Sequence, residues 1–252
     1  MKTIRTTAEL RDVLPSGETV GLVPTMGGLH AGHVSLLAAA RSECDCVVMS
    51  LFVNEAQFES EDDFARYPRD EEHDARVAQD AGVDLLFAPS ADELFPSGYG
   101  TWVEPDEHGL EAEFRPGHFR GVATVCLKLM NIVRPHRVYL GQKDAQQVHV
   151  VRRMVHDLNV DVELAVQPTV RDAEGLALSS RNAFLTPEEH ERALALPRAL
   201  LTGDPARARE LLHGLDVDYV AIADFEPRVI VGAVRIGNTR LIDNVPLEGE
   251  DE

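Results

Sequence analysis

Short apolar runs alternate with longer amphipathic stretches along most of the chain, a rhythm that predicts strands alternating with helices. Residues 19–24 (TVGLVP), 46–53 (CVVMSLFV) and 84–89 (DLLFAP) predict strands, separated by helices over about 32–41 and 71–81, the second stopped by Gly82. After a Pro/Gly-rich stretch come an apolar helix over 122–133, a strand at 137–141, a helix over about 145–158 and a strand at 162–168. Strand–helix–strand units of this kind build a parallel sheet with helices on both faces, so an α/β, doubly wound, Rossmann-like domain is expected. The pattern changes after Arg181. Thr186 with Pro187 reads as a capped helix start, and 218–225, 228–236 and 239–245 read as three strands of an antiparallel meander. A smaller α+β domain is therefore expected at the C-terminal end, with domains at residues 1–178 and 179–252. No repeat of 20 to 50 residues is visible, which sets solenoids and propellers aside.

With 44% hydrophobic and 27% charged residues the chain has the composition of a folded protein rather than a disordered one. Asp and Glu number 43 against 24 Lys and Arg, and the formal net charge of −19 opposes general attraction to nucleic acid or anionic membranes. A small-molecule substrate fits better. The N-terminal residues carry no apolar targeting core and no long apolar span follows, so a cytoplasmic chain is expected. Cys44, Cys46 and Cys126 form no disulfide framework and read as packing thiols in a reducing compartment.

The candidate chemistry lies where the first strand runs through Pro24 into Met26, Gly27 and Gly28, then Leu29, His30, Ala31, Gly32 and His33. A glycine turn leading into a helix is expected to aim unpaired N–H groups at an anion. His30 and His33, three apart, share one side of the first helical turn and can donate to developing phosphate charge. The Walker and G-x-G-x-x-G patterns are absent, so a nucleotide would be held in another way. A Zn²⁺ site at the two histidines lacks a third ligand at useful spacing.

VPTMGGLHAGHVSLL resembles the HxGH signature of the nucleotidylyltransferase superfamily, in the form found in pantothenate synthetases (pantoate–β-alanine ligases). SLFVNEAQF (50–58), RYPRD (66–70), RPGHFRGVATV (115–125), YLGQKDAQQ (139–147) and LALSSRN (176–182) resemble that family in order and spacing, so the likeness covers about residues 4–200 and, more weakly, the rest. It implies an ATP-dependent ligase, with Mg²⁺, that joins pantoate to β-alanine through a pantoyl-adenylate and releases pyrophosphate and AMP. His30 and His33 would then contact the triphosphate, His33 as proton donor, and Met26 would pack on the nucleotide. Gln57, Gln147 and Asn54 would bind pantoate. Gly141, Gln142, Lys143 and Asp144 would receive the nucleotide, Lys143 at a phosphate and Asp144 at the ribose, with Val170 beside adenine. Leu178, Ser179, Ser180 and Arg181 would grip the leaving pyrophosphate. RPGHFRG would form a mobile flap carrying Arg115, His118 and Arg120. Homodimerisation through the first domain is also implied.

The chain departs from the family at Ala31 (commonly Glu), Glu55 (Pro), Gln142 (Glu) and Ala145 (an aromatic residue), and it is short between Leu201 and Asp216. Carboxylates proposed for metal binding in relatives are not clearly reproduced around Glu72, His73 and Asp74, so the ligands of Mg²⁺ stay unassigned. Two other readings stand beside the ligase. One is nucleotidyl transfer to a phosphate or alcohol, which should call for more cationic side chains than Gln57 and Gln147 provide. The other is a paralogue that binds nucleotide without turnover, against which both histidines, Lys143 and Arg181 argue.

Overall fold

The computed structural model describes residues 1–247. Nine strands are present among them: β1 (Lys2–Ile4), β2 (Val20–Thr25), β3 (Cys46–Leu51), β4 (Leu85–Phe87), β5 (Arg137–Gly141), β6 (Glu163–Gln167), β7 (Asp216–Ala223), β8 (Val229–Ile236) and β9 (Thr239–Pro246). The first six form one sheet in the order β1-β4-β3-β2-β5-β6, parallel throughout, and the last three form a separate antiparallel sheet in the order β7-β8-β9. The expected Rossmann-like sheet and the expected meander are both present. In the large sheet β2 has β3 on one side and β5 on the other, so the strand order reverses at β2.

By compaction, residues Met1–Leu140 group with Val150–Gln167, while Gly141–His149 group with the residues from Pro168 onward. The turn after β5 and the hairpin that follows β6, which chain order assigns to the first domain, thus belong to the second compact unit.

In the first unit the core gathers Val23 of β2, Val47 and Met49 of β3, Leu86 of β4 and Tyr139 of β5 against Leu37 and Ala40 of the helix Ala31–Glu43. Both faces of these strands are covered, which is why they read as near-continuous apolar runs. Cys44 ends that helix and Cys46 opens β3, both buried; burial pushes the Cys46 thiol up to about 11 and the Cys126 thiol up to about 12, as packing residues require. In the second unit the helices Pro187–Ala193, Ala195–Leu200 and Pro205–Leu211, with Leu194 between the first two, contribute Leu194, Leu196, Leu200 and Ala208 to a core shared with Val220, Ile230 and Val234. A side chain at Gly232 of β8 would lie 3.1 Å from both Leu196 and Leu200, so glycine there lets helix and sheet approach. The cap expected at Thr186, ahead of Pro187, is present, and Glu189 completes it as a capping box.

Three local expectations change. β1 and the helix Thr7–Val13 carry no pattern long enough to announce them, and β1 exists because its three residues pair with β4 at the sheet edge. The apolar helix begins at His118 instead of residue 122, because Gly117 takes a left-handed conformation (φ 81°) and starts it there. RPGHFRG is consequently no flap: its second half is the first turn of a 16-residue helix. No helix among the described residues is long and apolar enough to cross a membrane.

Candidate functional site

In the first unit the site starts where β2 ends. Gly27 and Gly28 both have positive φ (90° and 63°), and the turn they make is fixed from the side by Asp74. One carboxylate oxygen of Asp74 accepts from Gly28 N–H at 3.0 Å and the other from Leu29 N–H at 2.9 Å, while Tyr67 Oη donates to Gly27 C=O at 3.3 Å. Asp74 is 1% exposed. A buried carboxylate is tolerable only with such donors, so the turn and the carboxylate stabilise each other. A side chain at Gly27 would come within 2.8 Å of Asp74 Oδ2 and 2.9 Å of Leu51, which leaves glycine as the fitting residue.

The two histidines then form the helix cap themselves. His30 is the N-cap; its Nδ1 accepts from Gly32 N–H at 3.1 Å, and His33 Nδ1 accepts from His30 N–H at 3.2 Å, a capping box built from imidazoles. Their ring centroids lie 4.1 Å apart. Gly32 is required because a side chain there would meet His30 Cε1 at 2.8 Å. An Nδ1 that accepts carries no proton, so each neutral ring holds its proton on Nε2. The N–H groups of Gly28, Leu29, His30 and Gly32 thus bond to the protein itself. Ala31, where the family commonly has Glu, is exposed in the first turn. It forgoes a helix-dipole contribution of about 0.3–1 kcal/mol without touching the cap.

The second cluster in this unit surrounds Gln57, which ends the 3₁₀ turn Glu55–Gln57. Asn54, 1% exposed, donates from Nδ2 to Gln57 Oε1 and to Gly121 C=O, each at 3.1 Å, and Gln57 Nε2 donates to Met26 Sδ at 3.0 Å. Asn54 Oδ1 is buried without a hydrogen-bond partner among the described residues. The backbone of the turn is held by the block expected as a flap. His118 Nδ1–H donates to Gln57 C=O at 2.8 Å, Arg115 Nη2 donates to the same oxygen at 3.3 Å, and Arg115 Nη1 donates to His118 Nε2 at 3.1 Å. Arg115 is 13% exposed and pairs with Glu59 and Glu111, so its charge is not a solvated one. A side chain at Gly121 would collide with Ala56 C=O, so that glycine lets the turn rest on the helix. Glu55, in place of the family's Pro, is exposed. Arg120 instead turns toward Glu104 and lies over the Trp102 ring.

In the second unit Gln142–Asp144 is a 3₁₀ turn directly after Gly141. Lys143 is largely covered and its Nζ lies 3.8 Å from Asp144 Oδ1, while Gln147, in the helix Ala145–Asp157, is half-buried. Ala145, in place of an aromatic residue, is buried. Val170 C=O accepts from Leu178 N–H at 2.9 Å across a hairpin that turns at Gly175 (φ 102°). From that hairpin the chain enters the turn Ser180–Phe184, capped by Ser179 Oγ, which accepts from Arg181 N–H at 3.3 Å. Burial pushes the Asp172 carboxyl up, but His190 and the backbone N–H groups of Leu176, Glu174 and Gly175 outweigh it and leave the group below its ordinary value. Lys143, Ser180 and Arg181 thus lie in short 3₁₀ turns, Gln147 in a helix and Val170 in a hairpin arm.

Asp74 and the positioning role of His118 were not expected as such. Asp74 carried a signal: it sits on the same helix face as buried Ala78, an apolar phase where a carboxylate needs a partner. Its two oxygens are occupied by backbone donors, and no group of three or more His, Cys, Asp or Glu among the described residues could hold a metal ion.

A parallel sheet whose switch-point strand leads into a histidine-capped helix defines a Rossmann-like protein of the HxGH type. The family model for pantoate–β-alanine ligase matches residues 2–246, and the chain belongs to that family. It is 49% identical to the pantothenate synthetase of Heliobacterium modesticaldum over 96% of each chain, and 48% identical to that of Moorella thermoacetica over the whole of both. The latter alignment runs over 283 positions for a chain of 252 residues, in keeping with the short stretch after Leu201. The crystal structure of pantothenate synthetase from Thermus thermophilus superposes with a TM-score of 0.92 at 45% identity, covering 98% of this chain and 99% of that one. The Francisella tularensis pantoate–β-alanine ligase, solved with beta-gamma ATP and β-alanine, gives 0.88 at 36% identity, covering 98% and 97%.

The histidine geometry has a direct spectroscopic consequence. Nitrogen-15 spectra of the protein at a pH where the imidazoles are neutral should show His30 and His33 with unprotonated Nδ1 and protonated Nε2; Nδ1–H on either ring would refute the imidazole cap.

Proposed function

We propose that the chain joins pantoate to β-alanine at the expense of ATP. A carboxylate is a poor acyl donor because oxide would have to leave. Attack by the pantoate carboxylate oxygen on the α-phosphorus forms the pantoyl-adenylate and expels pyrophosphate. Attack by the β-alanine amine on the acyl carbon then forms the amide and expels AMP, with one amine proton lost. The protein's part is placement and stabilisation of developing charge.

The observation that carries this reading is the pair of clusters in the first unit: two neutral imidazoles with Nε2–H donors, and the Asn54–Gln57 amide pair with a buried acceptor left over. The imidazoles suit phosphate oxygens, His33 serving as proton donor, with Met26 against the nucleotide. Asn54 Oδ1 suits a substrate hydroxyl, since a buried acceptor without a partner costs about 1–3 kcal/mol. Gln57, and Gln147 in the second unit, orient pantoate without neutralising its carboxylate. In the second unit we assign the backbone of Gly141 and Gln142, Lys143, Asp144 and Val170 to the nucleotide, and Leu178, Ser179, Ser180 and Arg181 to the pyrophosphate. Ser179, Ser180 and Arg181 combine hydroxyl donors with a planar cationic fork. The described residues offer no cage for Mg²⁺, so we take the ion to arrive on the ATP phosphates, where it adds positive charge. The reaction belongs in the cytoplasm, where ATP is maintained.

Incubation with ATP, Mg²⁺, pantoate and β-alanine should yield pantothenate and AMP in equal amounts, and His33→Ala should lower turnover by about 10²-fold or more with the fold retained. Nucleotidyl transfer to a phosphate or alcohol without amide formation would establish the other enzyme class, and an unchanged His33→Ala rate would remove His33 from the mechanism. We also propose a homodimer, on the family resemblance. Light scattering should give about twice the chain mass of 27.7 kDa, and a mass of one chain would overturn it.

A further inference from the structure

The three-stranded sheet of the second unit makes an unexpected contribution through its last strand. Asn244 on β9 is 2% exposed, and its side-chain amide is directed wholly at the turn after β5. Nδ2 donates to Gln142 C=O at 2.8 Å and to Lys143 C=O at 2.9 Å, and Oδ1 accepts from Gln142 Nε2 at 3.2 Å. Two successive carbonyls are thereby fixed in direction, and with them the backbone from which the Lys143 side chain departs. The preceding residue of the strand holds a second loop. Asp243 takes both guanidinium nitrogens of Arg171, at 2.6 and 3.0 Å, and Arg171 also donates to Gly175 C=O at 3.1 Å, within the hairpin that leads to Ser179. Asp243 is buried as well, and its Oδ1 accepts from Asn244 N–H at 2.8 Å. One dipeptide of β9 thus grips the turn of Lys143 and the hairpin of Val170.

We infer that Asn244 is a positioning residue for the nucleotide step, acting through the Gln142–Lys143 backbone to aim Lys143. The inference rests on the reading that Lys143 contacts the nucleotide. It also accounts for Gln142, where the family has Glu. The Asn244 Nδ2 protons are both taken by carbonyls, so the group facing residue 142 is an acceptor, and only a donor fits there. A carboxylate at 142 would meet Asn244 Oδ1 as acceptor against acceptor.

The test is steady-state kinetics of Lys143→Ala, Asn244→Ala, Gln142→Glu and the Lys143→Ala/Asn244→Ala double variant, each with a thermal melt. Lys143→Ala should impair kcat/KM for ATP. Asn244→Ala should do the same by about tenfold, leave KM for pantoate and β-alanine in place, and add less than about twofold in the Lys143→Ala background, because both act through one group. A purely structural role would lower kcat with every substrate's KM unmoved, and its effect would multiply with that of Lys143→Ala; either result overturns the inference. Normal ATP kinetics in Asn244→Ala beside an impaired Lys143→Ala overturns the inference alone, whereas normal kinetics in Lys143→Ala overturns the reading of Lys143 and the inference with it. Should Asn244→Ala not fold, Gln142→Glu takes its place, with the same ATP-specific loss expected and ordinary ATP kinetics contradicting it.

Discussion

The contact between the Asp74 carboxylate and the N–H groups of Gly28 and Leu29 sets the geometry on which the site depends. A buried anion must be matched by donors, and two amides on consecutive residues can meet one carboxylate only if the chain bends sharply between them. Gly27 and Gly28 make that bend in left-handed conformations, and Tyr67 closes it from Gly27 C=O. The bend delivers His30 to the cap position of the helix Ala31–Glu43, where the imidazoles complete the cap. A carboxylate close to a turn proposed to handle phosphate looks unfavourable in isolation. It is matched locally by the amides it orders, and the proposed anion-binding role falls to the imidazoles.

The same logic recurs in each unit: backbone carbonyls and amides of the loops are engaged by buried side chains, so that the chemistry falls to a few groups held in one orientation. His118 and Arg115 hold Gln57 C=O, and Gly121 admits the turn that carries it. In the second unit Asn244 and Asp243 do the equivalent for the turn of Lys143 and the hairpin before Ser179. Ordering of this kind lowers the entropy that a bound state must otherwise lose. The departures from the family fall where they disturb it least. Ala31 and Glu55 are exposed, and Gln142 is matched by Asn244.

Much of this architecture was legible in the residue pattern. The strands from β2 onward announce themselves because each is a short apolar run bounded by turn residues, and the glycines and histidines of the HxGH segment lie close together in the chain. What escaped the pattern depends on contacts distant in sequence. β1 is three residues held by pairing with β4, and the early start of the helix at His118 follows from Gly117. RPGHFRG reads as a mobile loop because its charges are local in sequence, whereas their partners Gln57 and Glu59 lie some 58 residues away. Asp74 receives no role from the sequence, because the amides it binds lie 45 and 46 positions earlier.

The most direct test of the Asp74 contact is isotope exchange between pyrophosphate and ATP in the presence of pantoate without β-alanine, which reads the adenylation half-reaction alone. In Asp74→Asn an amide NH₂ replaces one of the two acceptors and faces a backbone N–H, at a cost of about 1–3 kcal/mol. With the fold retained by thermal melt, exchange should fall at least about tenfold. Exchange at the wild-type rate in folded Asp74→Asn would contradict the account.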